Sequence, residues 1–239
     1  MNIRGLHPFT LVDFPGRIAC IIFVGECNFR CPYCHNPCLV FDPESQPRVP
    51  EEKFFEFLEK RKGKLEGVVI SGGEPILQKD LLPFIKKVKK MGYLVKLDTN
   101  GSMPERVFAI HNEAGLDAMG VDYKAPVEKY VEISRNNMDE LGNKVLSVIK
   151  FALDNNIQID VRTTVHRALL SIDDLRQMRS ELNAIGLETW TLQQFNPVET
   201  IDENLPELPT FTDHELVRIA EKLGNDTRVR GLKSMVIKS

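Results

Sequence analysis

A chain of 239 residues, 42% hydrophobic and 27% charged, is long enough to bury one large core, and α/β barrels commonly reach this size as a single unit. Its 31 Lys and Arg against 34 Asp and Glu leave a formal charge of -3, which gives no general pull toward nucleic acid or an anionic membrane. The longest apolar run, residues 18–24, is too short to span a bilayer and no basic-then-apolar leader precedes it, so the chain reads as cytoplasmic.

In chain order, residues 3–6 and 11–12 flank His7-Pro8, and Asp13-Phe14-Pro15-Gly16 is a turn signal leading into a β-rich strand over 17–24. Pro43, Pro47 and Pro50 mark an irregular connection before a helix opened by Glu51 and Glu52, with Phe54, Phe55 and Leu58 on one side. Strands at 67–71, 94–99, 118–122, 157–165 and 189–194 then alternate with helices at 80–91, 104–114, 128–135, 138–155 and 171–185. Lys86, Lys87, Lys89 and Lys90 read as the solvated face of one of these helices. Residues 196–209, with three prolines, form a loop before a helix at 213–223, and a strand-like piece at 228–237 is expected to cover a barrel edge.

Six strands joined through helices imply parallel strands with right-handed crossovers. The fold expected is α/β, a partial (β/α)6 TIM-like barrel in one domain spanning 1–239, with a core of about 17–195 and an extension over 196–239. Functional groups belong at the C-terminal ends of such strands. The first strand ends in Cys27, Cys31, Cys34 and Cys38, the second in Gly72-Gly73-Glu74-Pro75, the third in Asp98-Thr99-Asn100-Gly101, and the fourth in Asp122 and Lys124. The fifth carries Arg162, Thr164 and His166, expected on one face, and the sixth ends at Gln193, Gln194 and Asn196.

Five clustered cysteines fit metal binding in a reducing compartment better than disulfide stapling. A zinc knuckle completed by Cys38 or His35 is one use; three thiolates at the mouth of an α/β unit better suit a four-iron, four-sulfur cluster with one iron open to a ligand. Cys20 reads as core and Cys38 as a free thiol near the site. Gly72-Gly73 followed by Glu74 suits an amino acid head group. Asp98 and Asp122 on adjacent strands need a compensating cation, either Lys124 or a monovalent ion held by Asp98, Thr99 and Asp122. Arg162, always charged, calls for an anion.

With these residues in view, Cys-x3-Cys-x2-Cys with an aromatic before the last cysteine, followed by Gly-Gly-Glu-Pro, closely resembles the radical S-adenosylmethionine (SAM) superfamily. Asp13-Phe14-Pro15-Gly16, the stretch Cys27-Asn28-Phe29-Arg30-Cys31-Pro32-Tyr33-Cys34-His35-Asn36, Asp98-Thr99-Asn100-Gly101 and Asp122-Tyr123-Lys124 look like the activating enzymes of glycyl radical enzymes, most of all those of anaerobic ribonucleoside-triphosphate reductase. The resemblance implies that Cys27, Cys31 and Cys34 hold a 4Fe-4S cluster whose open iron binds SAM. Tyr33 would then line the adenine site, Gly72, Gly73 and Glu74 the methionine amino group, and Asp98, Thr99, Asp122, Lys124 and Arg162 the remaining polar edge.

The resemblance further implies a flavodoxin or ferredoxin electron donor and, as partner, the large subunit of the anaerobic reductase. Pyruvate formate-lyase activases carry a histidine after the sixth strand where this chain reads Gln193-Gln194-Phe195-Asn196. Many other activases insert a cysteine-rich segment after the cluster loop, and residues 39–50 contain no cysteine. Competing expectations are a small-molecule enzyme such as 7-carboxy-7-deazaguanine synthase, and a zinc-stabilised binding module without catalysis.

Overall fold

Alternation of buried strands with amphipathic helices is what the computed structural model contains, and it describes residues 1–224 and 226–233. The strands are β1 (Ile3–Thr10), β2 (Ala19–Val24), β3 (Gly67–Gly72), β4 (Leu94–Thr99), β5 (Ala118–Asp122), β6 (Gln158–Val165), β7 (Thr189–Gln194) and β8 (Asp226–Arg230). Between them run α1 (Pro37–Phe41), α2 (Glu51–Lys60), α3 (Leu81–Lys90), α4 (Pro104–Ala114), α5 (Tyr130–Ser134), α6 (Leu141–Asp154), α7 (Ile172–Ala184) and α8 (Asp213–Leu223). The strands lie in one sheet in sequence order. The chain divides into two compact units: Met1–Asn28 with Asn36–Gly120, and Phe29–His35 with the chain from Val121 onward.

In the first unit β2, β3 and β4 pair in parallel, and Cys20, Ile22, Val68, Val69 and Ile70 have no exposed surface. Apolar residues on both faces are what a parallel strand covered on two sides requires, and each such aliphatic side chain contributes roughly 1.5–3 kcal/mol. The helices supply an aromatic layer, with the Phe54 and Phe84 ring centroids 5.6 Å apart and those of Phe55 and Phe84 5.2 Å. Lys86 and Lys89 on the outer face of α3 reach Glu113 and Asp117, as a solvated helix face should.

β1 differs from expectation. His7-Pro8 does not interrupt it, because β1 runs antiparallel to β2 with a register shift between His7 and Thr10, and proline is tolerated at such an irregularity in an edge strand. The short α1 adds a helix to those expected; Pro37 occupies its first turn, where a missing N–H costs nothing.

The second unit keeps the parallel pairing through β6, β7 and β8. Here β6 alternates: Val161, Thr163 and Val165 are buried, while Asp160, Arg162 and Thr164 between them are half-buried, so one sheet face is polar and open. Trp190 of β7 is fully buried and its indole N–H donates to Thr163 Oγ1 at 2.9 Å, which satisfies a donor that burial would otherwise strand. The expected edge-covering strand is β8, parallel to β7; positions 234–237 of that expectation lie outside the described residues. Helix α7 starts at a capping box, with Ser171 accepting from Asp174 N and the Asp174 carboxylate accepting from Ser171 N. No described helix is long and apolar enough to cross a membrane.

Candidate active site

The first unit assembles the ends of β2, β3 and β4 around the start of the cysteine loop. Glu26, immediately before Cys27, has a left-handed φ of 73°, and two backbone bonds lay the Gly72-Gly73-Glu74 segment beside it: Gly73 N to Val24 O at 2.8 Å and Glu74 N to Glu26 O at 2.7 Å. A Cβ on Gly73 would fall onto the Glu26 carbonyl oxygen, and one on Gly72, at φ 120°, onto the Val24 backbone. Close approach of two backbones therefore explains both glycines.

Glu74 is buried, and its carboxylate is occupied by the fold. Oε1 accepts from Ile76 N at 3.0 Å and from Thr99 Oγ1 at 2.8 Å, while Oε2 accepts from Asn100 N at 2.6 Å. This side chain welds the end of β3 to the end of β4. Beside it, three residues whose roles no motif announces form an amide ladder. Asn100 Nδ2 donates to Asn28 Oδ1 at 2.8 Å, Asn28 Nδ2 to Ser102 Oγ at 2.9 Å, and Ser102 N to Asn100 Oδ1 at 3.0 Å, tying the residue after Cys27 to the β4 end. Asp98 is buried and its Oδ1 accepts from the ammonium of fully buried Lys96.

The second unit holds the rest of the loop and the ends of β5 to β8. Cys34 N donates to Cys31 O at 3.0 Å, closing a turn that carries both thiols, and the loop after β7 grips that turn through Asp202 N to Pro32 O at 3.0 Å and Ile201 N to Cys34 O at 3.3 Å. Burial pushes the Cys31 thiol up to about 11, opposed by the Lys124 ammonium. Lys124 Nζ lies 5.9 Å from the Tyr33 ring centroid and 3.3 Å from Asp122 Oδ2. Asp122 also accepts from Arg162 Nε at 2.9 Å. Burial alone would raise the Asp122 carboxyl, but Lys124 and Arg162 hold it well below the usual carboxylate range. For Lys124 burial works against the charged form, and Tyr33, Asp122 and Cys31 outweigh it, so the ammonium is kept above its ordinary value.

Each carboxylate thus has its own side-chain cation, Lys96 for Asp98 and the Lys124–Arg162 pair for Asp122. Arg162 also lies 3.7 Å from Asp160, which Arg230 of β8 reaches at 3.3 Å while donating to Gln193 Oε1 at 3.0 Å. His166 leaves the face expected for it. β6 stops at Val165, and the His166 ring is fully buried against Phe195, centroids 4.8 Å apart, its Nδ1 accepting from Ala168 N. His35 lies on the same phenylalanine at 5.7 Å, half-buried, and its pKa is lowered by desolvation. Cys20 is core, with its thiol pushed up to about 12 by burial, and Cys38 is a free, half-buried thiol on α1.

Cys27, Cys31 and Cys34 carry no disulfide, and reduced thiols, two of them in the unit that holds the Lys124 ammonium, are the donor chemistry an iron-sulfur cluster needs. The model of the radical SAM superfamily matches residues 21–178, which takes in the cysteine loop, the glycine pair and the ends of β4 to β6. The chain belongs to the radical SAM superfamily.

A Methanocaldococcus jannaschii protein named "Putative glycyl-radical enzyme activating enzyme MJ1227" is 31% identical over 234 residues, 95% of either chain. Solved structures superpose at low identity. Streptococcus suis SuiB bound to precursor peptide SuiA gives a TM-score of 0.69 at 12% identity over 88% of this chain, which spans 48%, about half, of SuiB. A radical SAM methyltransferase from Sphaerobacter thermophilus gives 0.65 at 14% identity, covering 93% of this chain and 68% of that one. These likenesses show the fold, a partial TIM-like barrel whose sheet is unclosed among the described residues. This is a radical SAM enzyme, and the superfamily works with a 4Fe-4S cluster and SAM. A zinc-stabilised module without catalysis is therefore set aside.

Proposed function

We propose that this radical SAM enzyme activates a glycyl radical enzyme, with the large subunit of an anaerobic ribonucleoside-triphosphate reductase as its partner and a flavodoxin or ferredoxin as its electron donor in the cytoplasm. The observation that carries the reading is the likeness, over 95% of either chain, to the M. jannaschii protein named for glycyl-radical enzyme activation. The run Gln193-Gln194-Phe195-Asn196 favours the reductase over pyruvate formate-lyase, and the absence of cysteine over residues 39–50 sets the chain apart from the activases that carry a cysteine-rich insert.

In this reading the whole chain is one catalytic domain, with 17–195 as its core and 196–239 as an extension. Cys27, Cys31 and Cys34 hold the cluster. Gly72 and Gly73 offer backbone, shaped by Glu74, to the amino acid end of SAM; Tyr33 offers a ring to the adenine; Asp98, Thr99, Asp122, Lys124 and Arg162 form the charged edge. When bound, the cluster and SAM supply one-electron cleavage of SAM to methionine and a 5'-deoxyadenosyl radical, which takes a hydrogen atom from one glycine of the partner. Lys124 and Arg162 keep Asp122 ionised and in place, and the strap at Ile201 and Asp202 fixes the Cys31–Cys34 turn.

The decisive measurement is electron paramagnetic resonance. Protein reconstituted anaerobically, mixed with SAM, dithionite-reduced flavodoxin and the purified reductase, should give a glycyl radical signal, with pyruvate formate-lyase giving none. SAM turnover only in the presence of a pterin-like small molecule would overturn the activase reading in favour of a 7-carboxy-7-deazaguanine synthase type of reaction.

A further inference from the structure

Lys96 lies in the middle of β4, opposite Val69 of β3 in the ladder, and has no exposed surface. An ammonium so placed is costly unless it is paired, and its Nζ bonds Asp98 Oδ1. The adjacent strand is shaped around this pair. A Cβ on Gly120 of β5 would fall onto Asp98 Oδ1 and come within 2.9 Å of Lys96 Nζ. A cation, an anion and a missing side chain are therefore specified together. The next two residues, Thr99 and Asn100, are those that bind the Glu74 carboxylate, so whatever fixes Asp98 also bears on the strand end.

We propose that Lys96 is a tethered counter-cation for Asp98: it takes the part that a free monovalent ion would otherwise have to play, and leaves this carboxylate charge-complete and fixed without sodium or potassium. Lys96 is a positioning residue, acting through Asp98. A free ion exchanges with solvent and makes the site depend on ionic composition; an ammonium on a strand does neither. The proposal rests on the strand-end site and not on which glycine, or which substrate, the enzyme serves.

The test compares salts of equal ionic strength, sodium, potassium and tetramethylammonium chloride, the last being too large to enter. Wild type should show one melting temperature for the apo protein and, for the reconstituted protein, SAM dissociation constants agreeing within about twofold in all three. Lys96→Ala leaves a void beside Asp98 and removes the ammonium bonded to its carboxylate. In tetramethylammonium it should melt lower by on the order of 10 °C and bind SAM about tenfold more weakly, with partial recovery in sodium or on adding methylammonium. Should Lys96→Ala fail to fold, Lys96→Met and Lys96→Met/Asp98→Asn replace it, and the double variant should melt above the single one. The proposal is overturned if wild type loses about tenfold or more in SAM affinity when sodium and potassium are withdrawn, if Lys96→Ala melts like wild type in every salt, or if Asp98→Asn brings no recovery. Failure to form a glycyl radical with these results intact would count against the proposed partner alone.

Discussion

At the scale of single residues, Gly73 and Gly92 show how the same letter answers different demands. A Cβ on Gly73 would meet the Glu26 carbonyl, which cannot yield because it is bonded to Glu74 N. Gly73→Ala should therefore lower stability by about 3 kcal/mol, or melting by roughly 6–12 °C. At Gly92, φ 92°, no atom lies within 4 Å, so alanine there meets only backbone strain, about 1 kcal/mol, and melting curves of the two variants should separate clearly. Asp122 makes a prediction about pH. Its folded pKa is depressed, so the stability it contributes is present above the unfolded value near ~3.9 and is lost as pH falls through the folded one; Lys124, raised, loses its contribution only as pH climbs past ~10.4. Asp122→Asn should melt below wild type by a margin that is constant from about pH 5 to 9 and closes below about pH 4. A margin that widens on acidification would show that the carboxylate is not held ionised.

At the scale of elements, helix starts are where local sequence decides most. Ser171→Ala removes half of a capping box at α7 and should cost about 1 kcal/mol, readable as a shift in the denaturation midpoint at unchanged slope. All six strands of the βα series are legible in the sequence because period-2 or fully apolar runs stand between punctuating Gly, Pro and Asp, and α4 and α8 match residue for residue. β1 reads as broken because Pro8 looks like a stop until antiparallel pairing at an edge makes room for it. The candidate site is legible where a motif names its side chains, Cys27, Cys31, Cys34, Asp122 and Lys124, and where strand alternation sets a permanent charge beside them, Arg162. It is illegible where a contact falls to an ordinary residue in a particular place. Lys96 and Asp98 repeat in β4 the two-residue spacing of Asp122 and Lys124 that stands out at the end of β5, and Lys96 can be found by that rule. The amide ladder of Asn28, Asn100 and Ser102 has no such signal, since nothing in the sequence says which loop an asparagine faces. Glu74 suggests an amino acid head group because a carboxylate after two glycines looks exposed, yet the backbone N–H groups of Ile76 and Asn100 reach it first.

At the scale of the whole molecule, the last described strand tests how far the sheet depends on what lies beyond the six-strand series. β8 pairs in parallel with β7 from Thr189↔Asp226 to Gln193↔Arg230, and α8 packs Leu216 and Ile219 into the interior before it. A chain ending at residue 224 would leave β7 as an edge, with its ladder N–H and C=O groups unpaired. It would also strip Asp160 of Arg230 and Gln193 of two guanidinium donors. At roughly 0.5–1.5 kcal/mol for each of a handful of lost bonds, the cost is about 3–5 kcal/mol, or a melting point lower by ~10 °C. The loss should not be uniform, because Asp160 without Arg230 keeps Arg162, whose Nε already holds Asp122. Restoring the strand with Arg230→Gln, that is, the full chain with this one substitution, should therefore recover most of the stability, since the ladder is backbone, and leave a loss of less than about 1 kcal/mol, as expected for a part-exposed pair. If Arg230→Gln instead proves as damaging as removing the strand, the ladder is the minor contribution, and the charged row from Lys124 through Asp122, Arg162 and Asp160 to Arg230 is what keeps β8 on the sheet.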